Sequence, residues 1–178
     1  MSLTLKVKGL DKLIADFDKL ATDAQNKTSI ALDTFGQKVA RDAKELVARN
    51  SSNIGGGVGL LGSINSTVGT LNVTITVNKN YAAFVEFGTR KFAAQYLSTL
   101  PQDWQTYAST FKQGNKGSIK GILWVMKDWF KAKGIDDNHA YFIARKILRD
   151  GIRAKPYLYP SIQKNIPVLE KDLENIFN

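Results

Sequence analysis

Cysteine is absent from this 178-residue sequence, and histidine is nearly so, with His139 alone. No disulfide, thiolate metal site or cysteine nucleophile is therefore available. The lack of cysteine agrees with folding in a reducing cytoplasm. One histidine makes no histidine-rich metal site, and Asp136-Asp137 beside it reads as helix capping rather than as a metal-binding pair. No apolar run approaches the roughly 20 residues that span a bilayer. The opening MSLTLKVKGLDKL lacks the basic-then-apolar layout of a secretory signal, so secretion by that route is not expected. Acids and histidines do not cluster at ligand spacing, and no base arrangement activates a serine. The expectation is a chain that is not an enzyme, with no cofactor, no small-molecule substrate and no membrane partner.

Charge of one sign is in excess. The formal net charge is +9, and it is uneven. Residues 1–78 carry a net +2, residues 79–155 a net +8 and residues 156–178 a net −1. The middle of the chain makes most of the positive field, which favours a polyanion or an acidic protein surface. A plain soluble basic surface has the same composition.

Hydropathy patterning divides the chain into elements. Leu3, Leu5 and Val7 alternate with polar residues, predicting a short half-buried strand. Leu10, Leu13, Ile14, Phe17 and Leu20 predict an amphipathic helix over 10–22. Thr28 or Ser29 caps a second, with Leu32, Phe35, Val39, Ala43 and Leu46 as its stripe, ending near Asn50. Gly36 inside it marks a close helix–sheet contact. The run Asn50–Gly59 (NSSNIGGGVG) is a loop; it lacks the Gly-Lys-Ser/Thr of a phosphate-binding loop. Residues 64–68 and 71–77 alternate about Gly69-Thr70 and predict a hairpin with one apolar face.

Tyr81–Phe87 (YAAFVEF) is apolar on both faces and reads as a third strand, central in its sheet or covered on one face by another subunit. Glu86 is the exception within it. A carboxylate in apolar surroundings needs a partner or shifts its pKa upward. Arg90 or Lys91 is within chain reach, and a neighbouring subunit is the other source. No second acid, histidine or metal motif accompanies Glu86, so pairing is preferred to catalysis. From Ile119 a helix runs to Gly134; another starts at Asp136 or Asp137 and ends at Asp150-Gly151. Pro156 and Pro160 bracket Tyr157-Leu158-Tyr159 ahead of a last helix, which Pro167 must kink or restart. The fold class expected is α+β: a small antiparallel sheet packed by helices, one domain over 1–178 with a mainly helical insertion at about 98–151.

Three blocks carry a resemblance. They are Val7-Lys-Gly-Leu-Asp-Lys-Leu13; the hairpin leading into Tyr81-Ala-Ala-Phe-Val-Glu-Phe-Gly-Thr89; and Ala144-Arg-Lys-Ile-Leu-Arg-Asp-Gly-Ile152 running into Lys155-Pro-Tyr-Leu-Tyr-Pro160. Together they resemble the minor tail-component or head–tail joining (neck) proteins of tailed bacteriophages. In that family the Pro-aromatic segment is commonly Pro-Phe-Leu; here it is Pro156-Tyr157-Leu158, and the insertion is a larger departure. The resemblance implies a structural protein of the virion, made in the host bacterial cytoplasm and assembled as a ring at the head–tail junction. Its implied partners are further copies of itself and neck, connector or tail proteins. Phe84, Glu86, Phe87, Arg90, Tyr157 and Tyr159 are then candidates for subunit contacts. Lys120, Lys127, Lys131, Arg145, Lys146 and Arg149 are candidates to face passing DNA or an acidic partner. The alternative is a DNA-binding module, in which the basic helical pair at 119–150 acts as a helix–turn–helix.

Overall fold

The computed structural model describes residues 10–49, 59–111 and 117–177. In chain order it has α1 (Leu10–Arg49), a 3-10 turn (Leu61–Ser63), β1 (Ile64–Val68), β2 (Val73–Val77), α2 (Ala82–Phe87), α3 (Arg90–Leu97), α4 (Gln102–Ser109), α5 (Ile119–Val125), α6 (Lys127–Ala132), α7 (Asp137–Asp150) and α8 (Leu158–Phe177). The fold is α+β, a two-stranded antiparallel sheet packed by helices. The strand expected at Leu3–Val7 and all but the end of the 50–59 loop lie outside the described residues.

The hairpin expected from the alternation is present; it pairs Ile64 with Val77 through Val68 with Val73, so its second strand starts at Val73 and not at residue 71. Its apolar face lies on α1. A Cβ at Gly36 would come within 2.5 Å of Val73 Cγ2 and 3.1 Å of Ser66 Cβ, so the missing side chain lets helix and sheet approach. The central core gathers Ala40, Ala43 and Val47 of α1, Leu60, Ile64, Tyr81, Ala82 and Tyr157. Helix α8 packs along α1, and the two share a buried polar link.

Three sequence expectations are corrected. The two helices at 10–22 and 28–50 are one 40-residue helix, because no glycine, proline or apolar break interrupts 21–29. The third strand is the helix α2. A short apolar run is compatible with either element, and here Tyr81, Ala82 and Glu86 are buried at helical spacing. Gly88 ends α2 with φ 72, its N–H donating to the Phe84 carbonyl. The helix from Ile119 is broken at Met126 into α5 and α6. Of the two outcomes expected at Pro167, the restart does not occur: α8 runs through it.

Candidate functional site

Glu86 is placed by α2, whose last turn aims its carboxylate at the start of α8. The side chain is 3 % exposed. Oε2 accepts the backbone N–H groups of Tyr157 (2.7 Å) and Leu158 (2.9 Å), and Oε1 that of Tyr159 (3.0 Å). A helix leaves its first N–H groups without intrahelical acceptors, and its N-terminal end carries partial positive charge. One carboxylate from a distant part of the chain satisfies three of these donors. Pro160, also in that first turn, has no N–H to satisfy. The tyrosine-rich Pro-Tyr-Leu-Tyr-Pro segment is thus built to present its amides to Glu86.

Burial pushes the Glu86 carboxyl above its ordinary value, while the amides of Leu158, Tyr157 and Tyr159 act in the opposite direction. Burial, and then the Glu86 charge, push the phenols of Tyr96 and Tyr157 far up, so both stay neutral. The Tyr96 hydroxyl is buried without a hydrogen-bond partner among the described residues.

A second set of bonds closes the same junction. Thr89 N–H donates to the Ile152 carbonyl (2.9 Å), Ile152 N–H donates to Thr89 Oγ1 (2.7 Å), and Lys155 N–H donates to the Val85 carbonyl (2.8 Å). Gly88 and Gly151 face this crossing at φ 72 and 88. A Cβ on Gly88 would lie 2.7 Å from Ala154 N, and one on Gly151 would lie 2.6 Å from the Thr89 carbonyl. Arg90 adopts φ 55 beside them, a left-handed conformation that costs a non-glycine residue about 1 kcal/mol. The motifs Glu-Phe-Gly-Thr89 and Lys155-Pro-Tyr-Leu-Tyr-Pro160 therefore form one clasp.

From the clasp a buried polar chain reaches α1. Ser161 Oγ donates to the Tyr157 carbonyl (2.6 Å). Asn165 Nδ2 donates to the Ser161 carbonyl (2.9 Å) and to Asp42 Oδ2 (2.8 Å). Lys164 Nζ lies 3.0 Å from the same oxygen. Burial raises the Asp42 carboxyl, but the bonds from Asn165 and Lys164 and the charges of Lys164 and Arg41 outweigh it and leave it lowered.

Around the clasp, Phe87 and Tyr159 join an aromatic cluster with Trp104, Tyr107 and Phe111. Trp104 meets Tyr159 edge-on at 5.0 Å, and Phe87 lies 6.2 Å from Trp104. The residues expected at subunit contacts are thus largely together. Glu86, Phe87 and Tyr157 are buried within this chain, Phe84 and Tyr159 are partly covered by its cores, and Arg90 is exposed. The partner of Glu86 is the backbone of 157–159, in place of Arg90, Lys91 or a neighbour. Lys120, Lys127, Lys131, Arg145, Lys146 and Arg149 are exposed on α5, α6 and α7, where Arg149 is bound to Asp150 by two 2.9 Å contacts. Among the described residues no group of three or more His, Asp or Glu is arranged to hold a metal ion, and no helix is long and apolar enough to cross a membrane.

Sequence reasoning missed the Asp42–Asn165–Ser161 chain, because single polar residues on amphipathic helices give no signal of burial. It also missed the reach of Glu86 to α8, although the burial of one acid in an apolar run was the clue.

Residues 11–88 match the HK97-gp10_like family, described as "Bacteriophage HK97-gp10, putative tail-component". The match supports a tailed-phage tail or neck protein family. It spans most of α1, the hairpin and α2, and so includes Glu86 and ends at Gly88. No curated protein and no solved structure matches the chain.

Proposed function

We propose that the chain is a structural virion protein of a tailed phage or prophage, assembling at the head–tail junction as part of a ring. The observation that carries the reading is the tail-component match over residues 11–88. The clasp adds to it by giving the phage-like blocks on either side of residues 98–151 one physical role. Residues 98–151 are read as a helical insertion within a single domain. Glu86, Phe87 and Tyr157 hold the surface from inside, while Arg90 and the accessible parts of Phe84 and Tyr159 stand beside the subunit contact. The partners are copies of this chain and neck, connector or tail proteins, with weak contact to passing DNA through the basic helices. The work is assembly and not catalysis. The chain is made in the host bacterial cytoplasm and ends in the virion.

Deleting the gene from its parent phage or prophage and imaging the induced lysate by electron microscopy tests this. DNA-filled heads beside separate tails are expected. Intact infectious particles would overturn the reading.

A second reading, DNA binding by α5–α7, is favoured by the exposure of Lys120, Lys127, Lys131, Arg145 and Lys146. It requires duplex binding that weakens steeply with salt. No binding at low salt removes it.

A further inference from the structure

Residues 50–78 contain no Lys, Arg, Asp, Glu or Pro, in a chain that is 23% charged. The hairpin lies inside this run. Gly69 N–H donates to the Asn72 carbonyl and Asn78 N–H to the Ser63 carbonyl. With the β1–β2 register, these bonds put Thr74 and Thr76 in the hydrogen-bonded pairs and turn the N–H and C=O groups of Val73 and Ile75 outward. No strand pairs with that edge among the described residues. Proteins blunt open edges with charges, prolines or bulges, because an unpaired edge is a template for another strand. This edge has no charge and no proline.

A groove of about 380 Å³ runs beside Val73 and Ile75, walled by Phe35, Trp104, Leu158 and Ile162, with Tyr107 and Asp103 also lining it. Asp103 is the one charged residue there. An occupant that completes the sheet must therefore be extended, apolar on one face and polar on the other, and basic. Leu3-Thr-Leu-Lys-Val-Lys8 has that pattern.

The same copy cannot supply it. α1 starts at Leu10 and meets Val73 and Ser66 at Gly36. At 1.5 Å rise per residue these points are about 39 Å apart. The chain from Leu3 to Leu10 spans at most about 25 Å. Residues 16–30 of α1 are also mostly exposed, Leu20 at 65% and Ile30 at 66%.

We propose that residues 3–7 of one copy add as a third strand to the β2 edge of a second copy, on the far side of the exposed stretch 16–30 of α1 from their own sheet. The contact joins two different surfaces, so its repetition closes a ring when the rotation allows. This deepens the ring reading and rests on it only in requiring that copies meet.

The absence of cysteine makes the test direct. Single variants Thr4→Cys or Lys6→Cys are mixed with Thr74→Cys or Thr76→Cys under mild oxidation, which covers the possible registers. A covalent dimer in at least one of the four mixtures is expected, and the matching double variant should give a ladder of multimers. Multimers by light scattering with no cross-link in any mixture would overturn the arm and leave the ring reading standing. A double variant that closes within one chain at high dilution would overturn it too. If the purified chain is monomeric, a synthetic peptide of residues 2–8 is titrated into the full chain and tryptophan fluorescence is read. Saturable binding is expected, weakened at least tenfold in a peptide carrying Leu5→Pro; no binding at millimolar peptide overturns the proposal.

Discussion

Glu86 holds the start of α8 by accepting three backbone N–H groups within 3.0 Å. Each donor left buried without an acceptor costs about 1–3 kcal/mol. Glu86→Ala is therefore expected to lose about 3 kcal/mol or more, read as a lowered urea midpoint. Glu86→Gln keeps one acceptor oxygen and turns an NH₂ group toward the remaining donors; a loss of about 2 kcal/mol is expected. The pH dependence has a sign. Burial raises the Glu86 carboxyl above 4.5, so the folded chain binds that proton more tightly than the unfolded chain. Its contribution is fully present below 4.5 and is lost as pH rises through the raised value. Midpoints measured across pH should show a decline above 4.5 that Glu86→Gln flattens; an unchanged slope in that variant contradicts the assignment. Gly88→Ala is expected to cost about 2 kcal/mol, since it adds a Cβ at φ 72 and 2.7 Å from Ala154 N.

At the scale of elements, α8 is tied to α1 through Asp42 and Asn165. The Asp42 carboxyl is lowered below 3.8, so its contribution is present above that value and is lost as pH falls beneath it. Asp42→Asn should remove this acid-side loss and cost about 1–2 kcal/mol at neutral pH. Pro167 lies exposed inside α8. Proline in a helix interior removes one backbone bond and crowds the preceding turn, so Pro167→Ala is expected to raise the thermal midpoint, by about 1–3 kcal/mol in stability. The same elements show what the sequence made legible. The hairpin followed from strict alternation between Ile64 and Val77, and α7 from its capping Asp136, whose side chain accepts the His139 N–H. Gly36 was read as a close helix–sheet contact, and Val73 fills that space. The run Tyr81–Phe87 was misread, because seven residues apolar on both sides carry no period that separates strand from helix. α3 was not foreseen, and α4 only as part of the mainly helical stretch 98–151, since their apolar residues are scattered among polar ones. Within the site, the two motifs were legible as special, but their contact spans 71–73 residues of chain, and local pattern carries no information about such pairing.

For the whole molecule, the basic middle of the chain and the charge-free hairpin are separate stretches with different chemistry. The exposed lysines and arginines of α5–α7 suit an anionic surface that passes or docks, while the hairpin edge suits a strand from a neighbour. The clasp joins distant parts of the chain, and its Leu158 also lines the groove beside the hairpin edge. The most direct test of assembly at the head–tail junction is cryo-electron microscopy of purified particles, averaged over the neck. The account predicts a closed ring of copies of this fold at the junction, each with α8 seated on Glu86. A neck resolved in full, in infectious particles, with no density for this fold would contradict it.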